Sequence, residues 1–218
     1  MRRFNAGAVL LAVLLLTTAS AWAAQPSLIG PTGLLTVPTA DVLGIMDWNV
    51  GATQVWADGG ADESVMFASL GLLPKLEIGV SRFEPENVEA ETLINAKLHL
   101  LSLPGQFSVA AGMIDVTDQV ERSAYVVASH TLGAGVLTPH GQISEPRVHF
   151  GIGGGQFDGL LAGISATVAR KADVMAEYNG EEFNVGVRWP LLPRVSVTVA
   201  TLDTFDDLAA GVSLISPW

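Results

Sequence analysis

Apolar and polar residues alternate in short runs along most of the chain. Within residues 172–189, Val174 and Ala176 fall on one side of an extended strand, and Asp173 and Glu177 fall on the other. The alternation resumes after an Asn-Gly pair. Alternation with a period of two predicts β-strands with two different faces, and Asn-Gly between two such runs predicts a hairpin turn.

Read in this way, the chain from residue 46 onward contains about twelve strands of a length that crosses a bilayer when tilted. Their predicted spans are 46–57, 63–71, 75–83, 91–101, 106–114, 123–132, 147–154, 159–169, 172–179, 182–189, 194–202 and 208–215. We therefore predict an all-β fold, an antiparallel up-and-down transmembrane β-barrel of about 12 strands, within a range of roughly 10–14. Residues 46–218 would form this barrel.

The connections between the predicted strands are of two alternating kinds. Acidic connections fall at 58–63, 84–91, 115–121, 158, 181–182 and 203–207, and short, proline-rich or basic ones fall at 72–75, 101–105, 170–171 and 190–194. Consecutive turns of a meander lie at opposite ends, so one rim is acidic and the other has tight turns. We expect the tight-turn rim to be periplasmic. The long connection Gly133–Pro146 has room for extra strand residues at Val136 and Leu137.

The first 24 residues have the three parts of a secretory signal peptide. Arg2 and Arg3 form a basic start, residues 8–16 form an apolar run too short to span a membrane, and Ala21-Trp22-Ala23 is a cleavage signal. We therefore exclude residues 1–24 from the fold.

Residues 25–45 do not alternate and are rich in glycine and proline. We expect this segment to pack on or inside the barrel mouth, because Leu34, Leu35 and Val37 need burial; a flexible leader is the alternative. Thr39 is in position to cap a short helical turn at residues 40–43.

Charge and composition narrow the class of protein. The chain has 11 basic and 22 acidic residues, and removing residues 1–24 leaves 11 − 2 = 9 basic and 22 acidic, a net charge of −13. This acidity argues against a nucleic-acid partner. No cysteine is present, so neither a disulfide nor a lipidated cysteine is expected. Dispersed apolar residues in an exported chain favour a membrane barrel over a soluble one.

Sequence motifs for catalysis and for metal or nucleotide binding are absent. There is no G-x-S-x-G, no H-E-x-x-H, no Walker loop and no calcium loop. The glycines at 151–155 indicate a strand that bends or is closely approached by another group. They do not indicate a dinucleotide loop, because no helix follows. We therefore predict no enzyme activity, no cofactor and no metal.

The best candidate functional residues are polar side chains on the inner face of the predicted barrel. They are Glu77, Asn95, Lys97, His99, Arg147, His149, Glu177, Glu182 and Arg188. Buried charges persist when they are paired or hydrated. Two interpretations stay open: a salt-bridged core that closes a narrow lumen, or a path for a polar ligand, for which carbohydrate would be a suitable class.

The stretch SLIGPTGLLTVPTADVL at residues 27–43 resembles the start of YjbH-like proteins. The residues that carry the resemblance are Gly30, Pro31, Thr32, Gly33, Pro38, Thr39 and Ala40. LLPKLEIGVSR, AEYNGEEFNVGVRW and LLPRVSVTVATLD are similar to the barrel hairpins of the family. The resemblance implies a bacterial outer-membrane β-barrel linked to exopolysaccharide production, and it brings no catalytic residues.

The expected function is therefore a structural or accessory role in exopolysaccharide production or export. Its partners would be outer-membrane lipid and, through the resemblance, polysaccharide or export-machinery proteins. The alternatives are a narrow passive channel for small polar solutes, or a soluble-type barrel that binds an apolar ligand. The pattern does not specify an oligomeric state.

Overall fold

The computed structural model describes residues 24–103, 107–133, 136–138, 141–169 and 171–216. The predicted signal peptide lies outside these ranges except for Ala24, and so do Pro217 and Trp218. In the described part of the chain, no helix has the length and apolar character needed to cross a membrane.

Thirteen β-strands follow one another through these residues. They are β1 (Trp48–Trp56), β2 (Glu63–Leu73), β3 (Leu76–Pro85), β4 (Glu91–Leu103), β5 (Phe107–Ile114), β6 (Ser123–Thr131), β7 (Val136–Thr138), β8 (Gly141–Gly153), β9 (Gly159–Val168), β10 (Ala172–Tyr178), β11 (Phe183–Leu192), β12 (Val195–Leu202) and β13 (Asp207–Ile215). A short 3-10 turn at Asp203–Phe205 joins β12 to β13.

Twelve of these strands form a closed antiparallel barrel, as predicted. Each wall strand pairs with its neighbour along the chain, and the first strand, β1, pairs with the last strand, β13, from Asn49↔Ile215 to Trp56↔Leu208. Strand β6 pairs directly with β8, while β7 pairs with β8 alone, at the rim. Strand β7 contains Val136 and Leu137, where extra strand residues were expected.

Strand β8 begins six residues earlier than its predicted start at residue 147. The register between β8 and β9 shifts between Ser144 and Arg147, and Glu145 has a positive φ of 52°. A bulge of this kind breaks the alternation on which the prediction relied. Pro146, which has no amide hydrogen, lies inside the shift and further obscures the strand.

Three strands also run further into the tight-turn rim than predicted. Register shifts occur at Gly71/Leu73, His99/Leu101 and Pro190/Leu192. An extra residue at each bulge removes the strict alternation of faces. Adjacent leucines are therefore both exposed, as at Leu72 and Leu73.

The Asn-Gly hairpin forms a four-residue turn between β10 and β11. The Asn179 side-chain oxygen accepts the amides of Glu181 and Glu182, at 3.1 and 2.9 Å, and Gly180 has φ 111°. Glu182 consequently lies in the turn at the acidic rim. It does not lie on the barrel wall, where the predicted strand had placed it.

The outward face of the barrel is apolar. Exposed wall residues include Val50, Met66, Val80, Ile94, Leu98, Val126, Phe150, Ile152, Leu160, Ile164, Val174, Val185, Val187, Val199 and Val212. They come from strands all around the wall, while the polar residues that alternate with them point inward. This is the arrangement of a barrel that contacts lipid, and it excludes the soluble-type alternative.

We predict that arginine at outward-facing Val187 costs about 2–4 kcal/mol of unfolding free energy, because the charge would enter the hydrocarbon region. Urea unfolding of protein refolded into lipid vesicles, followed by heat-modifiable electrophoretic mobility, measures this cost. Glu181→Arg in the exposed turn is the matched control and should change the free energy by less than about 0.5 kcal/mol. Equal stability of Val187→Arg and the parent would contradict a lipid-facing wall.

Candidate functional site

Residues 25–44, hereafter the lumen segment, lie inside the barrel. All of them up to Leu43 are buried or half-buried. The segment folds back on itself through two isolated bridges, Pro26↔Thr32 and Gly33↔Pro38. The expected helical turn at residues 40–43 is wrong: this stretch has no helical structure, and the Thr39 hydroxyl donates to Asp41 at 3.1 Å instead.

Glu77 and Lys97, which face each other across β3 and β4, both hold Thr32 of the lumen segment. Glu77 accepts the Thr32 amide at 2.8 Å and the Leu43 amide at 3.1 Å. The Lys97 ammonium donates to the Thr32 carbonyl at 2.6 Å and also contacts the Thr32 hydroxyl. Both side chains are only 2% exposed, so the segment supplies partners that water cannot.

Glu177 on β10 holds the next part of the lumen segment through its amides. Its carboxylate accepts the amides of Leu35 at 2.9 Å, Thr36 at 2.8 Å and Val37 at 3.2 Å. Asn184 on β11 donates to the same carboxylate at 3.1 Å. The Thr36 hydroxyl also donates to it at 2.7 Å, so five donors converge on one carboxylate, an arrangement that compensates a buried negative charge.

Arg188 on β11 binds the opposite kind of backbone group. Its guanidinium donates to the carbonyls of Pro26 and Leu34, each at 2.7 Å, and to the Thr198 hydroxyl at 3.3 Å. Arg188 is 3% exposed. Glu77 and Glu177 thus accept hydrogen bonds from amides of the segment. Lys97 and Arg188 donate hydrogen bonds to its carbonyls.

The last part of the lumen segment is fixed by an ion pair. Arg147 on β8 donates two hydrogen bonds to Asp41, at 2.6 and 2.9 Å. Bidentate geometry of this kind is among the stronger polar contacts in proteins. His99 adds a contact of 3.1 Å between its Nδ1 atom and the Ala40 carbonyl.

Ser129 and His149 form a pair beneath the same part of the segment. The Ala40 amide donates to the Ser129 hydroxyl at 2.9 Å, which lies 2.8 Å from His149 Nδ1. Nε2 of the same ring lies 3.3 Å from the Ser165 hydroxyl. The Ser129 hydroxyl is engaged on both sides and buried, which suits a structural contact rather than a nucleophile.

Most of the nine predicted lumen residues therefore meet on one segment. Six of them contact it directly: Glu77, Lys97, His99, Arg147, Glu177 and Arg188. Asn95 acts through Ser81, whose hydroxyl donates to the Ile29 carbonyl, and His149 acts through Ser129. Glu182 stays at the rim. Among the described residues, the side chains of Glu77, Lys97, Glu177 and Arg188 form no ion pair within 4 Å.

The glycines and Thr32 of the family-like motif have specific structural roles. Gly30 has φ 118°, and a Cβ there would lie 2.9 Å from Phe67 on β2. A Cβ on Gly33 would lie 2.7 Å from the Val37 carbonyl. Glycine permits both close approaches, and Thr32 is the residue shared by Glu77 and Lys97.

Inward-facing glycines of the wall accommodate leucines of the lumen segment, a role that the sequence reasoning missed. A Cβ on Gly163 of β9 would lie 2.3 Å from the Leu34 side chain, and one on Gly186 of β11 would lie 2.6 Å from Leu35. Glycine inside a strand does indicate a close approach of some group. Alternation places these glycines inward but does not say which group approaches.

The half of the lumen near the acidic rim is closed by apolar packing. One cluster joins Val37 and Ala40 of the segment to wall residues that include Leu93, Ile114 and Tyr125. A second cluster consists of Leu28, Leu34, Leu35, Met175, Ala200 and Ala209. The lumen segment contributes to both clusters, so it takes part in sealing this end.

A cavity of about 640 Å³ lies between the lumen segment and a part of the wall that includes β8, β9, β10 and β11. Its lining includes Asp41, Glu145, Arg147, Asp173 and Arg188, which carry charges of both signs. Asp41 belongs to the lumen segment, and the other four lie towards the tight-turn ends of their strands. Among the described residues, no group of three or more histidine, aspartate or glutamate side chains is arranged to hold a metal ion.

Comparisons with known proteins identify the fold. No protein-family model matches the sequence, and no curated protein sequence is significantly similar to it. A KdgM porin structure superposes with a TM-score of 0.56 at 11% identity, covering 76% of this chain and 98% of the porin. A structure titled KdgM porin in complex with disordered oligogalacturonate gives 0.52 at 10% identity, covering 78% and 99%. A NanC porin gives 0.50 at 9% identity, covering 78% and 98%.

These similarities show that the chain has the fold of outer-membrane porins. The apolar outer face independently requires lipid around the barrel. The protein is therefore a bacterial outer-membrane β-barrel, as the sequence predicted, and lipid of that membrane is its surrounding partner.

We predict that Glu177→Gln loosens the lumen segment and lowers the unfolding free energy. Glutamine offers one acceptor oxygen, so amides now bound by two oxygens compete for it, at about 1–3 kcal/mol for each amide left unsatisfied. Urea unfolding in lipid vesicles and limited proteolysis of residues 25–44 measure the two effects. Glu181→Gln, in the exposed turn, is the control and should match the parent. Identical behaviour of both variants would show that the Glu177 contacts do not hold the segment.

Proposed function

We propose that this protein is a narrow passive channel for small polar solutes and that the lumen segment holds it closed. In the conformation described above, the segment occupies the lumen, a cavity remains beside it towards the tight-turn rim, and the apolar clusters close the acidic-rim end. Transport then requires that residues 25–44 move away from the wall. The proposal includes no chemical reaction.

The observation that carries this proposal is the pairing of the wall charges. Glu77, Lys97, Glu177 and Arg188 are satisfied mainly by the backbone of one segment, rather than by salt bridges with each other. If the segment leaves, these groups require water, because an unpaired charge in a dry lumen is very costly. The emptied lumen would therefore hydrate and provide a polar path.

The charges suggest which solutes such a path would admit. The wall carries carboxylates and cations side by side, so it has no single-sign ring that would select strongly for anions or cations. Small, hydroxyl-rich or weakly charged solutes suit this lining. The similarity to porins supports a channel at the level of fold only.

A second candidate is a structural or accessory role in exopolysaccharide production or export. The resemblance to YjbH-like proteins favours it, because its residues, Gly30–Gly33 and Pro38–Ala40, belong to the segment that fills the lumen. In this alternative the filled barrel is the working form, and the partners would be polysaccharide or export-machinery proteins. Such a protein would not need to conduct.

Conductance in planar bilayers tests the channel. We expect the parent to be mostly closed and a variant lacking Pro31–Thr39 to conduct severalfold more, because nine of the twenty residues of the lumen segment are gone. A second variant avoids the deletion: Thr36→Cys with Asn184→Cys joins the segment to the wall, where Thr36 Oγ1 and Asn184 Nδ2 lie 3.4 Å apart. The chain has no other cysteine.

Oxidation of this pair should abolish any openings of the parent type, and reduction should restore them. Each single-cysteine variant is the control for the substitutions themselves. Heat-modifiable mobility confirms that every variant is a folded barrel. A folded deletion variant that conducts no more than the parent would contradict the channel, and it would leave the accessory role as the better account.

A further inference from the structure

We infer that the barrel lumen is a peptide-binding site, whose ligand is residues 25–44 of this chain, and that it also binds this segment as a separate peptide. The lumen segment would then be an exchangeable ligand that is tethered to its receptor, rather than a fixed part of the barrel core. This inference goes beyond the proposed channel and holds whether or not the emptied barrel conducts.

The polar contacts are directed at the peptide backbone. Glu77 and Glu177 together accept five amides, those of Thr32, Leu35, Thr36, Val37 and Leu43. The wall cations Lys97 and Arg188 donate to the carbonyls of Pro26, Thr32 and Leu34. A site that satisfies main-chain donors and acceptors with opposite charges recognises a peptide backbone, because every residue of a peptide presents a carbonyl and every residue except proline presents an amide hydrogen.

The glycine recesses of the wall add selectivity for side chains. Leu34 lies over Gly163, where the other nearest atoms would be 3.6 Å from an added Cβ, so the recess is filled by Leu34 alone. Leu35 lies over Gly186 and Leu28 lies over Gly211. Leucines seated in recesses fix the register of the peptide, while the charges fix its backbone.

The connection between ligand and receptor is short and accessible. Ile45 and Met46 are 55% and 64% exposed, and they join the lumen segment to β1 at the tight-turn rim. The wall strands pair with each other without using residues 25–44. Cutting the chain at Ile45–Met46 therefore leaves the barrel strands intact and turns the segment into a separate peptide.

The test uses the full chain with a specific protease site inserted between Ile45 and Met46, folded before it is cut. After cleavage in detergent, size exclusion and mass spectrometry show whether the segment stays with the barrel. A synthetic peptide of residues 25–44 with a fluorophore is then added in excess, and its uptake is measured by fluorescence anisotropy. We expect the cut segment to be retained and then replaced by the labelled peptide.

Two variants of the cut protein test the two kinds of contact. Glu177→Gln should weaken peptide binding roughly tenfold, the factor equivalent to about 1.4 kcal/mol, whereas Glu181→Gln should not change it. Gly163→Ala should weaken binding of the parent peptide but not binding of a peptide with Leu34→Ala, because the smaller side chain leaves room for the new Cβ. An equal loss of affinity for both peptides would contradict the proposed register.

Three results would overturn the inference as a whole. The first is immediate loss of the segment from a barrel that stays heat-modifiable and takes up no peptide. The second is unfolding of the barrel on cleavage, which would make the segment part of the fold. The third is retention without any exchange. Failure of the channel proposal is distinguishable, because it would show as absent conductance in a barrel that still binds the peptide.

Discussion

Charged side chains that point into a barrel must find partners, and this requirement organises the whole interior. Barrels of about eight strands are filled by their own side chains, whereas those of about 16–18 leave an aqueous channel. This barrel, with twelve wall strands, lies between these cases. Here a non-strand segment fills the lumen and brings the amides and carbonyls that Glu77, Lys97, Glu177 and Arg188 need.

The two ends of the barrel interior differ in packing. Near the acidic rim, apolar side chains of the wall and of the lumen segment pack together and exclude water. Towards the tight-turn rim, the cavity beside Asp41 and Arg147 leaves room next to the segment. Glycines on the segment and on the wall both permit close packing. Gly30 of the segment and Gly163 of the wall each allow a contact that a Cβ would block. The segment therefore fits closely against the wall where these contacts form, and the cavity remains beside it towards the tight-turn rim.

The wall could be predicted from the sequence because alternation is a local property of each strand. It correctly indicated that Val187 faces outward and that Arg188 faces inward, and it located the hairpin at Asn179. It failed where a bulge or proline interrupts the period, as at Pro146. It also placed Glu182 on the wall, because it could not see that the turn takes four residues.

The alternation pattern could not predict which groups the inward-facing residues contact. Glu177 binds Thr36 across a separation of 141 residues, and no local period encodes that contact. Apolar Leu34 and Leu35, which belong to no strand, did indicate that the segment is buried, but not how its backbone is held. Asp41 was overlooked as the partner of Arg147, because it lies outside both the motif and the predicted strands.

Hydrogen–deuterium exchange of the folded protein in detergent tests most directly whether the wall charges hold the backbone of the lumen segment. The amides of Leu35, Thr36 and Val37 donate to Glu177 inside the barrel. They should therefore exchange about as slowly as the ladder amides of β10 and β11. Exchange of these amides at the rate of an unstructured peptide, while the strands stay protected, would contradict the account.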